Sequence, residues 1–440
     1  MIGLRELVIR SGYGPDEEIL KAPEGAATVE QLLGLAKDLP ARYVGSSVAL
    51  KLASPFQFVK ALFYLDGRAS NILLLASDLK SEIVETLIEA APGTELIDDM
   101  SLVGENCADS SHLSKEGMAP STWCLSTSGT TGVPKIVRHQ FPNLIRSVKL
   151  PKAGQERPVW GLLYEPSRFA GLQVVLQAFG GGGILVLTDP EADLQSRLEF
   201  LARHGCTHLS ATPSLWRKIL MLPHSHDLDL RQITLGGEIA DQRVLDGLRQ
   251  RFPNARLTHI FASTEIGVGF SVVDGRAGFP ASYLSKSLSG LRLKVKEGVL
   301  WACPPDGMPR TVANHIQADD EGYICTEDRV EVSGDRVLFL GRQASQVNIG
   351  GIKLQLEELE RQLRDHPDIA ECALSAIPNP IVGNILVLDV VPNMPVEDEG
   401  AFKRSLKKWC RTHFQPEAVP AKVMIVSSLA LASSGKVRRH

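Results

Sequence analysis

The segment STSGTTGVPK at residues 126–135 is the stretch that decides how this sequence is interpreted. It follows a strand-like TWCLS at 122–126 and ends in Lys135, but it lacks the GxxxxGK(S/T) pattern of a P-loop NTPase. Backbone N–H groups in a glycine-rich turn form an anion cradle, and Gly129 and Gly132 let the backbone approach a ligand closely. The hydroxyl groups that can donate to phosphate oxygens belong to Thr127, Ser128, Thr130 and Thr131. The segment predicts a phosphate-binding loop, and a solvated Ser/Thr turn is the alternative.

Composition indicates an ordinary globular protein. The 440 residues are 44% hydrophobic and 22% charged, and the formal net charge of −4 argues against a broad nucleic-acid-binding face. Seven cysteines without a CxxC pair predict reduced thiols in a cytoplasmic protein, not a disulfide framework or a zinc site. The longest apolar runs, ILLLA at 72–76 and ILVLT at 184–188, have strand length, and the N-terminus is too charged for a signal peptide. We therefore expect a soluble protein without membrane or nucleic-acid partners.

Short apolar runs alternate with amphipathic helical stretches, and the first strong strand pattern is VALKL at 48–52. This alternation predicts a large N-terminal α/β domain at 1–340, with parallel-type sheets covered by helices. Towards its end, the period-two patterns LRLKVKEGVLWAC and YICTEDRVEVSGDRVLFLGR predict antiparallel hairpins, a small β region. The rest of the chain has the pattern of a small α+β domain. We place the boundary at Leu340–Arg342, which leaves 341–440 as a C-terminal lid domain.

STSGTTGVPK strongly resembles the phosphate loop of the ANL adenylate-forming enzymes, which are acyl- and aryl-CoA synthetases, peptide-synthetase adenylation domains and luciferases. Five further segments resemble other motifs of that family and occur in the family's order. They are LGGE (235–238), FASTE (261–265), YICTEDRV (323–330), LGRQASQVNIGGIKLQLEELE (340–360) and LASSGKVRRH (431–440). Because chance does not produce six ordered matches, the sequence is identified as a member of this family.

The resemblance implies roles in binding ATP and Mg²⁺ for the segments of the N-terminal domain. Thr264 would contact the ATP phosphates or the acyl-adenylate. Glu265 would help to hold Mg²⁺, since a carboxylate that faces a triphosphate needs a hard cation between them. Phe261 would lie at the adenine side, with Ala262 in place of the usual glycine. Gly236 and Gly237 match the family's glycine pair before the adenine and acyl pocket, and Glu238 follows that pair.

The later motifs imply residues for the ribose, the hinge and the lid. Asp328 matches the carboxylate that binds the ribose hydroxyls, and Glu327 stands where the family usually has glycine. Arg342 matches the arginine that faces the ribose and the phosphate. The hinge position, usually Asp or Lys, is Ala344. Lys436 matches the mobile lysine of the lid, which brings a compact positive charge to the site during adenylation.

YEPSRFAGLQ at 164–173 aligns with the segment that lines the family's acyl pocket, which gives Arg168, Phe169 and Gly171. Phe169 stands where adenylation domains for amino acids carry an aspartate, and this argues against an α-amino acid substrate. Arg168 either pairs with an anionic group of the substrate or covers a helix end at the surface. His139 stands where many relatives have a histidine, and we interpret it as a helix-start residue, not a catalyst.

The resemblance implies that the protein converts a small carboxylic acid and ATP to an acyl-adenylate and pyrophosphate, and then transfers the acyl group to the thiol of CoA. The Gly350–Gly351 pair resembles the hinge of acyl/aryl-CoA ligases and favours CoA. The phosphopantetheine arm of an acyl carrier protein is the alternative acceptor. A binding or regulatory homologue without turnover is a further alternative, and a homodimer is expected.

Overall fold

The structure, a computed structural model, describes most of the 440-residue chain. The described residues are 3–35, 41–91, 93–99, 120–127, 135–151, 154, 156–223, 227–305, 318–349, 352–379, 383–432 and 435–437. They form two compact units. The first draws mainly on Met1–Gly237 and Leu245–Gly275, and the second draws on Glu238–Val244, Arg276–Pro305 and Gln317–His440. These units do not follow chain order, so the domain boundary at Leu340–Arg342 remains a prediction.

The described residues of the first unit form two sheets. Its strands are β1 (Glu18–Ala22), β2 (Gly25–Thr28), β3 (Ser47–Leu50), β4 (Asn71–Leu74), β5 (Thr94–Ile97), β6 (Thr122–Thr127), β7 (Lys135–Gln140), β8 (Val159–Leu162), β9 (Ile184–Leu187), β10 (His208–Ala211), β11 (Gln232–Leu235), β12 (Arg256–Ser263) and β13 (Gly267–Val272). Within the described residues the smaller sheet has the order β5-β3-β4-β6-β7, and the larger has the order β13-β12-β11-β10-β8-β9-β1-β2. In the smaller sheet the neighbours β5, β3, β4 and β6 are parallel, and β7 pairs antiparallel with β6. In the larger sheet the neighbours β12, β11, β10, β8, β9 and β1 are parallel, while β13 pairs antiparallel with β12 and β2 with β1.

Helices occur in both units, and several of them begin at a residue whose side chain caps the first turn. The α-helices are α1 (Leu4–Arg10), α2 (Val29–Gly34), α3 (Pro55–Leu65), α4 (Ser81–Glu89), α5 (Phe141–Leu144), α6 (Phe169–Gly180), α7 (Leu194–Arg203), α8 (Pro213–Met221), α9 (Gln242–Arg251), α10 (Leu356–Leu363) and α11 (Glu399–His413). The side chains of Ser54, Asp193 and Thr212 each accept a backbone N–H in the first turn of α3, α7 and α8. Pro55 and Pro213 begin α3 and α8, where a missing N–H costs nothing.

The core of the first unit is built around α3 and α6. Phe63 of α3 and Phe179 of α6 meet edge to face, with 5.5 Å between ring centroids, and both are fully buried. Trp123 of β6 packs beside them in the same cluster, and its indole N–H donates to Asp66 at 3.1 Å. Burial of such large side chains is the main stabilising contribution to this unit.

The second unit contains three sheets among its described residues. Its strands are β14 (Phe279–Pro280), β15 (Arg292–Lys296), β16 (Val299–Cys303), β17 (Ile324–Ser333), β18 (Arg336–Arg342), β19 (Gln346–Ile349), β20 (Ile352–Gln355), β21 (Ile369–Asn379), β22 (Gly383–Pro392) and β23 (Lys422–Ile425). The sheet orders are β14-β18-β17-β16-β15, β19-β20 and β21-β22-β23. Short 3₁₀ turns among the described residues of both units are Ala41–Tyr43, Ala281–Ser285, Gln343–Ser345 and Pro416–Ala418.

A buried ionic cluster lies in the second unit beside α10. The guanidinium of Arg364 is 3.6 Å from a carboxylate oxygen of Asp241, 3.7 Å from one of Glu360 and 4.0 Å from one of Glu371. The four side chains are at most 11% exposed. One guanidinium therefore neutralises part of the charge of three carboxylates, which the sequence did not predict.

The predicted fold class, an α/β N-terminal part with covered parallel sheets and a smaller α+β C-terminal part, is confirmed. The expectation that the first strand lies near Val48 is wrong, because β1 and β2 precede it. β1 is held by parallel pairing with the distant β9, for example Leu20 with Leu185, and local patterns do not show such contacts. Among the described residues no helix has the length and apolar character needed to span a bilayer.

Candidate active site

β6 and β7 bracket the predicted phosphate loop. Thr127, the last residue of β6, pairs with Lys135, the first residue of β7, so the two ends of the loop are held side by side. The predicted loop residues that lie outside the described residues are Ser128, Gly129, Thr130, Thr131 and Gly132. Because β6 runs parallel to β4, the loop follows the carboxyl end of a parallel strand, where α/β proteins bind ligands.

Three predicted segments follow the carboxyl ends of parallel strands in the larger sheet. The acyl segment follows β8, the glycine pair Gly236 and Gly237 follows β11, and Thr264 with Glu265 follows β12. Parallel strands of one sheet end at the same edge, so the topology groups these segments. Gly237 has a φ of 82°, in the left-handed region that favours glycine.

Thr264 and Glu265 form the tip of the β12–β13 hairpin. Ser263 pairs with Gly267 across the hairpin, and the Ile266 N–H donates to Ser263 Oγ at 3.1 Å. The tip is therefore a tight, internally bonded turn that fixes where the Thr264 and Glu265 backbones lie. Both side chains are half-buried.

The strands behind this tip carry the predicted adenine-side residues. The ring of Phe261 stacks on that of Phe270, with 5.1 Å between centroids and 17° between planes. The strand register shifts between Phe261 and Ala262, and Ala262 then pairs with Val268. Such an irregularity re-aims the side chains that follow it, so it orients the tip as well as the aromatic pair.

His139 corrects one prediction. The pairing of β6 with β7 continues through Gln140, so His139 is a strand residue, and α5 begins only at Phe141. Its side chain is 3% exposed, and its ring lies 6.2 Å from that of Phe169, centroid to centroid. Burial lowers the pKa of the imidazole. The helix-start interpretation was wrong because the pairing of β6 with β7 includes His139, opposite Trp123.

Arg168 lies at the N-cap position of α6 and forms an ion pair with Asp78. Its Nη2 is 3.2 Å from Asp78 Oδ1, and the two side chains are 26% and 49% exposed. Asp78 follows β4 of the smaller sheet, whereas Arg168 follows β8 of the larger one. The pair therefore joins the carboxyl ends of the two sheets, and it offsets charge that Arg168 would otherwise offer to an anionic substrate.

Glu165 anchors the same segment and was missed in the sequence. Its carboxylate accepts hydrogen bonds from Ser77 Oγ at 3.2 Å and from Ser167 Oγ at 3.0 Å. Burial raises the pKa of this carboxyl, and the two hydroxyl bonds oppose that shift. A Cβ on Gly171 would overlap the backbone oxygen of Glu165, so Gly171 lets α6, which starts at Phe169, approach this loop.

In the second unit, Asp328 and Arg342 face each other across β17 and β18. Arg342 Nε is 3.3 Å from Asp328 Oδ1, and the Asp328 side chain is only 15% exposed. Burial raises the pKa of the Asp328 carboxyl, while the Arg342 charge and a bond to Thr326 lower it. The preceding Glu327 has a φ of 62°, in the left-handed region, at the position where the resembling family has glycine.

Lys436 lies in a short turn near the C-terminus of the described chain. The Ala432 N–H donates to the Lys436 carbonyl at 2.8 Å, and the Val437 N–H donates to Glu238 Oε1 at 3.2 Å. The Lys436 charge also lowers the pKa of Asp328. The second unit thus brings Glu238, Asp328 and Lys436 together. Ala344, the predicted hinge residue, lies in the 3₁₀ turn Gln343–Ser345 directly after β18.

These residues fit a bound nucleotide. Burial disfavours the ionised form of Asp328, and hydrogen bonds donated by ribose hydroxyls would stabilise that form. Glu265 offers oxygen ligation at a hairpin tip, which suits Mg²⁺ because that ion usually takes few protein ligands together with phosphate oxygens. A covered α/β unit that carries a predicted phosphate loop, and a second unit that carries a buried carboxylate at the predicted ribose position, are features expected of an adenylate-forming enzyme.

The sequence comparisons agree with this class. Residues 75–305 match the AMP-binding enzyme family, and residues 358–436 match the C-terminal domain of AMP-binding enzymes. The chain therefore belongs to the AMP-binding enzyme family, within the ANL superfamily of adenylate-forming enzymes. The D-alanine–D-alanyl carrier protein ligase of Staphylococcus aureus is 26% identical over 343 residues, which cover 72% of this chain and 70% of that protein.

Solved structures with the same fold include o-succinylbenzoate CoA synthetase from Bacillus subtilis. In complex with its acyl-adenylate intermediate, it has a TM-score of 0.72 and 19% identity, and the match covers 99% of this chain and 97% of that one. In complex with ATP and magnesium ion, it has a TM-score of 0.71 and 19% identity, with 98% and 97% coverage.

Proposed function

We propose that this adenylate-forming enzyme is an acid–thiol ligase that activates a small carboxylic acid with ATP and Mg²⁺ and passes the acyl group to CoA. The observation that carries the proposal is the grouping of Asp328, Arg342 and Lys436 in the second unit. A ribose-binding carboxylate with an arginine and a mobile lysine beside it is what the first half-reaction requires.

In that half-reaction, a carboxylate oxygen of the acid attacks the α-phosphorus of ATP, and the bond to pyrophosphate breaks. Two anions must meet, so positive charge and N–H groups have to screen them. Lys436 supplies one charge, Lys135 supplies another beside the phosphate loop, and Thr264 contributes a hydroxyl group. Mg²⁺, held by Glu265 and the phosphates, would act as a Lewis acid on the phosphate oxygens.

In the second half-reaction, the thiol releases its proton to water, the sulfur attacks the acyl carbon, and AMP leaves with the electrons of the anhydride bond. The acceptor is proposed from sequence: Gly350–Gly351 resembles the hinge of acyl/aryl-CoA ligases. A carrier protein is the second candidate, because the 26%-identical relative from Staphylococcus aureus is named as a carrier protein ligase. We also propose a homodimer, which carries no part of the catalytic argument.

The acyl segment favours a substrate that carries no charged group besides the carboxylate to be activated. Phe169 begins α6 where a carboxylate would be needed to bind an α-amino group, and Arg168 is already paired with Asp78. An aryl or medium-chain monocarboxylic acid fits these two features better than an amino acid or a dicarboxylic acid. Glu165 also supports the segment, but its bonds to Ser77 and Ser167 are directed within the protein.

ATP–pyrophosphate exchange over a panel of aryl, medium-chain, dicarboxylic and amino acids tests the proposal. We expect exchange with a monocarboxylic acid and much weaker exchange with the other classes. The best acid is then supplied with CoA or with a phosphopantetheinylated carrier protein, and thioester is quantified by mass spectrometry. Thioester on CoA supports the proposed acceptor, whereas thioester on the carrier alone would replace it. No exchange with any acid, while ATP still binds, would favour a non-catalytic homologue.

A further inference from the structure

Two β-turns that follow parallel strands of the first unit carry side chains that contact each other. The β4 turn covers residues 76–79 after β4, and the acyl turn covers residues 165–168 after β8. In each turn the N–H of the last residue donates to the carbonyl oxygen of the first, at 3.2 Å from nitrogen to oxygen. Because both backbones are closed in this way, the side chains of the two turns start from fixed positions.

Two adjacent residues of the β4 turn each contact the acyl turn. Ser77 Oγ donates to one carboxylate oxygen of Glu165 at 3.2 Å. Asp78 Oδ1 accepts a hydrogen bond from Arg168 Nη2, also at 3.2 Å. Ser167 Oγ donates to the other carboxylate oxygen of Glu165 at 3.0 Å. The Glu165 contacts thus hold the two turns side by side, and they place Asp78 opposite Arg168.

These contacts bring together one cation and two carboxyl groups. Burial raises the pKa of Glu165, the positive charge of Arg168 lowers it, and the negative charge of Asp78 raises it. The three groups are therefore close enough to affect one another. With Glu165 ionised the cluster has one net negative charge, and with Glu165 protonated it is neutral. In either state the acyl segment offers no surplus positive charge, although it contains an arginine.

We propose that Asp78 is a specificity-determining residue: it pairs with Arg168 and thereby excludes acids that carry a second carboxylate. The inference rests on the proposed function, in which Arg168 belongs to the segment that lines the acyl pocket. A second carboxylate at this place would have to displace Asp78 from Arg168, and it would meet Asp78 and Glu165 as like charges. An apolar acyl group requires no such exchange. Asp78 thus selects by penalising the wrong substrate.

A similar ion pair at the other edge of the larger sheet provides a matched control. Arg157 and Glu17 precede β8 and β1, which both run parallel to β9, so this pair lies at the amino ends of the strands. Arg157 Nε is 3.0 Å from Glu17 Oε2, and the two side chains are 33% and 40% exposed. Glu17→Gln therefore removes one carboxylate from a partly exposed arginine pair that lies away from the acyl segment.

The test compares acids that differ only by a second carboxylate. Hexanoate is paired with adipate and benzoate with terephthalate, and kcat and KM for ATP–pyrophosphate exchange are measured for each acid. If the panel favours another monocarboxylic acid, that acid and its analogue with a terminal carboxylate replace these pairs. Each dicarboxylic acid is also tested as a competitive inhibitor of exchange with its monocarboxylic partner, which reports binding even where the dicarboxylic acid does not react.

Three variants separate charge from shape at position 78. Asp78→Asn keeps the shape of the side chain and removes its charge, whereas Asp78→Glu keeps the charge. The double variant Asp78→Asn with Arg168→Gln also removes the cation, so it shows whether an effect of the first substitution acts through Arg168.

We expect wild type to prefer the monocarboxylic acid of each pair. Asp78→Asn should raise kcat/KM for the dicarboxylic acid about 10- to 30-fold, mainly through a lower KM, because Arg168 can then donate to the second carboxylate. The same variant should lower kcat/KM for the monocarboxylic acid, since the positive charge of Arg168 is then less fully offset beside an apolar acyl group. Asp78→Glu should keep the wild-type preference, the double variant should lose the gain, and Glu17→Gln should match wild type with every acid.

An unchanged preference in Asp78→Asn would overturn the inference, and so would a gain that persists in the double variant. Wild-type exchange that is as efficient with the dicarboxylic acid as with its partner would overturn it too, while the proposed acid–thiol ligase would stand. No exchange by wild type with any acid would refute the proposed function itself, and the inference with it. If Asp78→Asn does not fold, Asp78→Ser removes the same charge with a smaller side chain and decides in the same way.

Discussion

Replacing Glu327 by glycine is expected to stabilise the protein by about 1 kcal/mol. Glu327 has a φ of 62°, and it lies in a bulge where β17 residues 326–328 face a single residue of β16. Left-handed backbone costs a non-glycine residue about 1–2 kcal/mol. Against this, a glycine lowers the free energy of unfolding by about 0.4–1 kcal/mol, because it gives the unfolded chain more conformational freedom. The difference leaves a net gain of about 1 kcal/mol.

Urea unfolding followed by tryptophan fluorescence measures this gain. Glu297→Gly is the matched control, because Glu297 has a φ of 53° in the turn between β15 and β16 and is not a predicted site residue. We expect a gain of the same size there. Glu327→Ala removes the carboxylate but keeps the Cβ, so we expect no gain from that variant.

An equal gain from Glu327→Ala and Glu327→Gly would refute the reasoning from backbone conformation. It would show that the relevant effect is removal of a negative charge next to the buried Asp328. A loss of stability in Glu327→Gly, with the expected gain in Glu297→Gly, would mean that the Glu327 side chain makes contacts that outweigh its backbone strain.

Three other perturbations have defined outcomes. Gly171→Ala should destabilise the protein by about 1–3 kcal/mol, because its methyl group overlaps the Glu165 backbone, and a wild-type urea midpoint would contradict this. Arg364→Ala should lower the free energy of unfolding by about 3–5 kcal/mol, because three buried carboxylates lose their shared cation. A loss of under about 1 kcal/mol in the same assay would show that the cluster is already solvated. Adenosine is the ligand for the third test because it carries no phosphate to titrate. Its affinity should fall as the pH is lowered through the raised pKa of Asp328, because ribose hydroxyls donate hydrogen bonds to the ionised carboxylate. Calorimetry should show a weaker, pH-independent affinity in Asp328→Asn, and an unchanged pH dependence would exclude Asp328 as its source.

Features encoded in short local stretches could be predicted from the sequence. The alternation of strands and helices and the hairpin around Glu297 follow from periodicity and turn signals. The motif resemblance supplied the residues Asp328, Arg342 and Lys436, and the second unit pairs Asp328 with Arg342, while the Lys436 charge lowers the pKa of Asp328.

Contacts between distant segments could not be predicted in this way. β1 depends on pairing with β9, and Glu165 depends on Ser77, 88 residues away. His139 was interpreted as a helix-start residue, but it lies in a strand because β7 pairs with β6, and those two strands are separated in sequence by the predicted phosphate loop. A polar group whose partner comes from another sheet leaves no periodic signal in its own segment.

The most direct test of adenylation is the effect of Lys436→Ala on the two half-reactions, measured separately with the best acid from the panel. Acid-dependent ATP–pyrophosphate exchange should fall at least about 100-fold, as expected when a charge that stabilises the transition state is removed. Transfer of the acyl group from supplied acyl-adenylate to CoA should remain close to wild type. Lys403→Ala, which removes an exposed lysine paired with Glu399, should leave both reactions unchanged. Wild-type exchange in Lys436→Ala, or equal loss of both half-reactions, would contradict the assignment of Lys436 to adenylate formation.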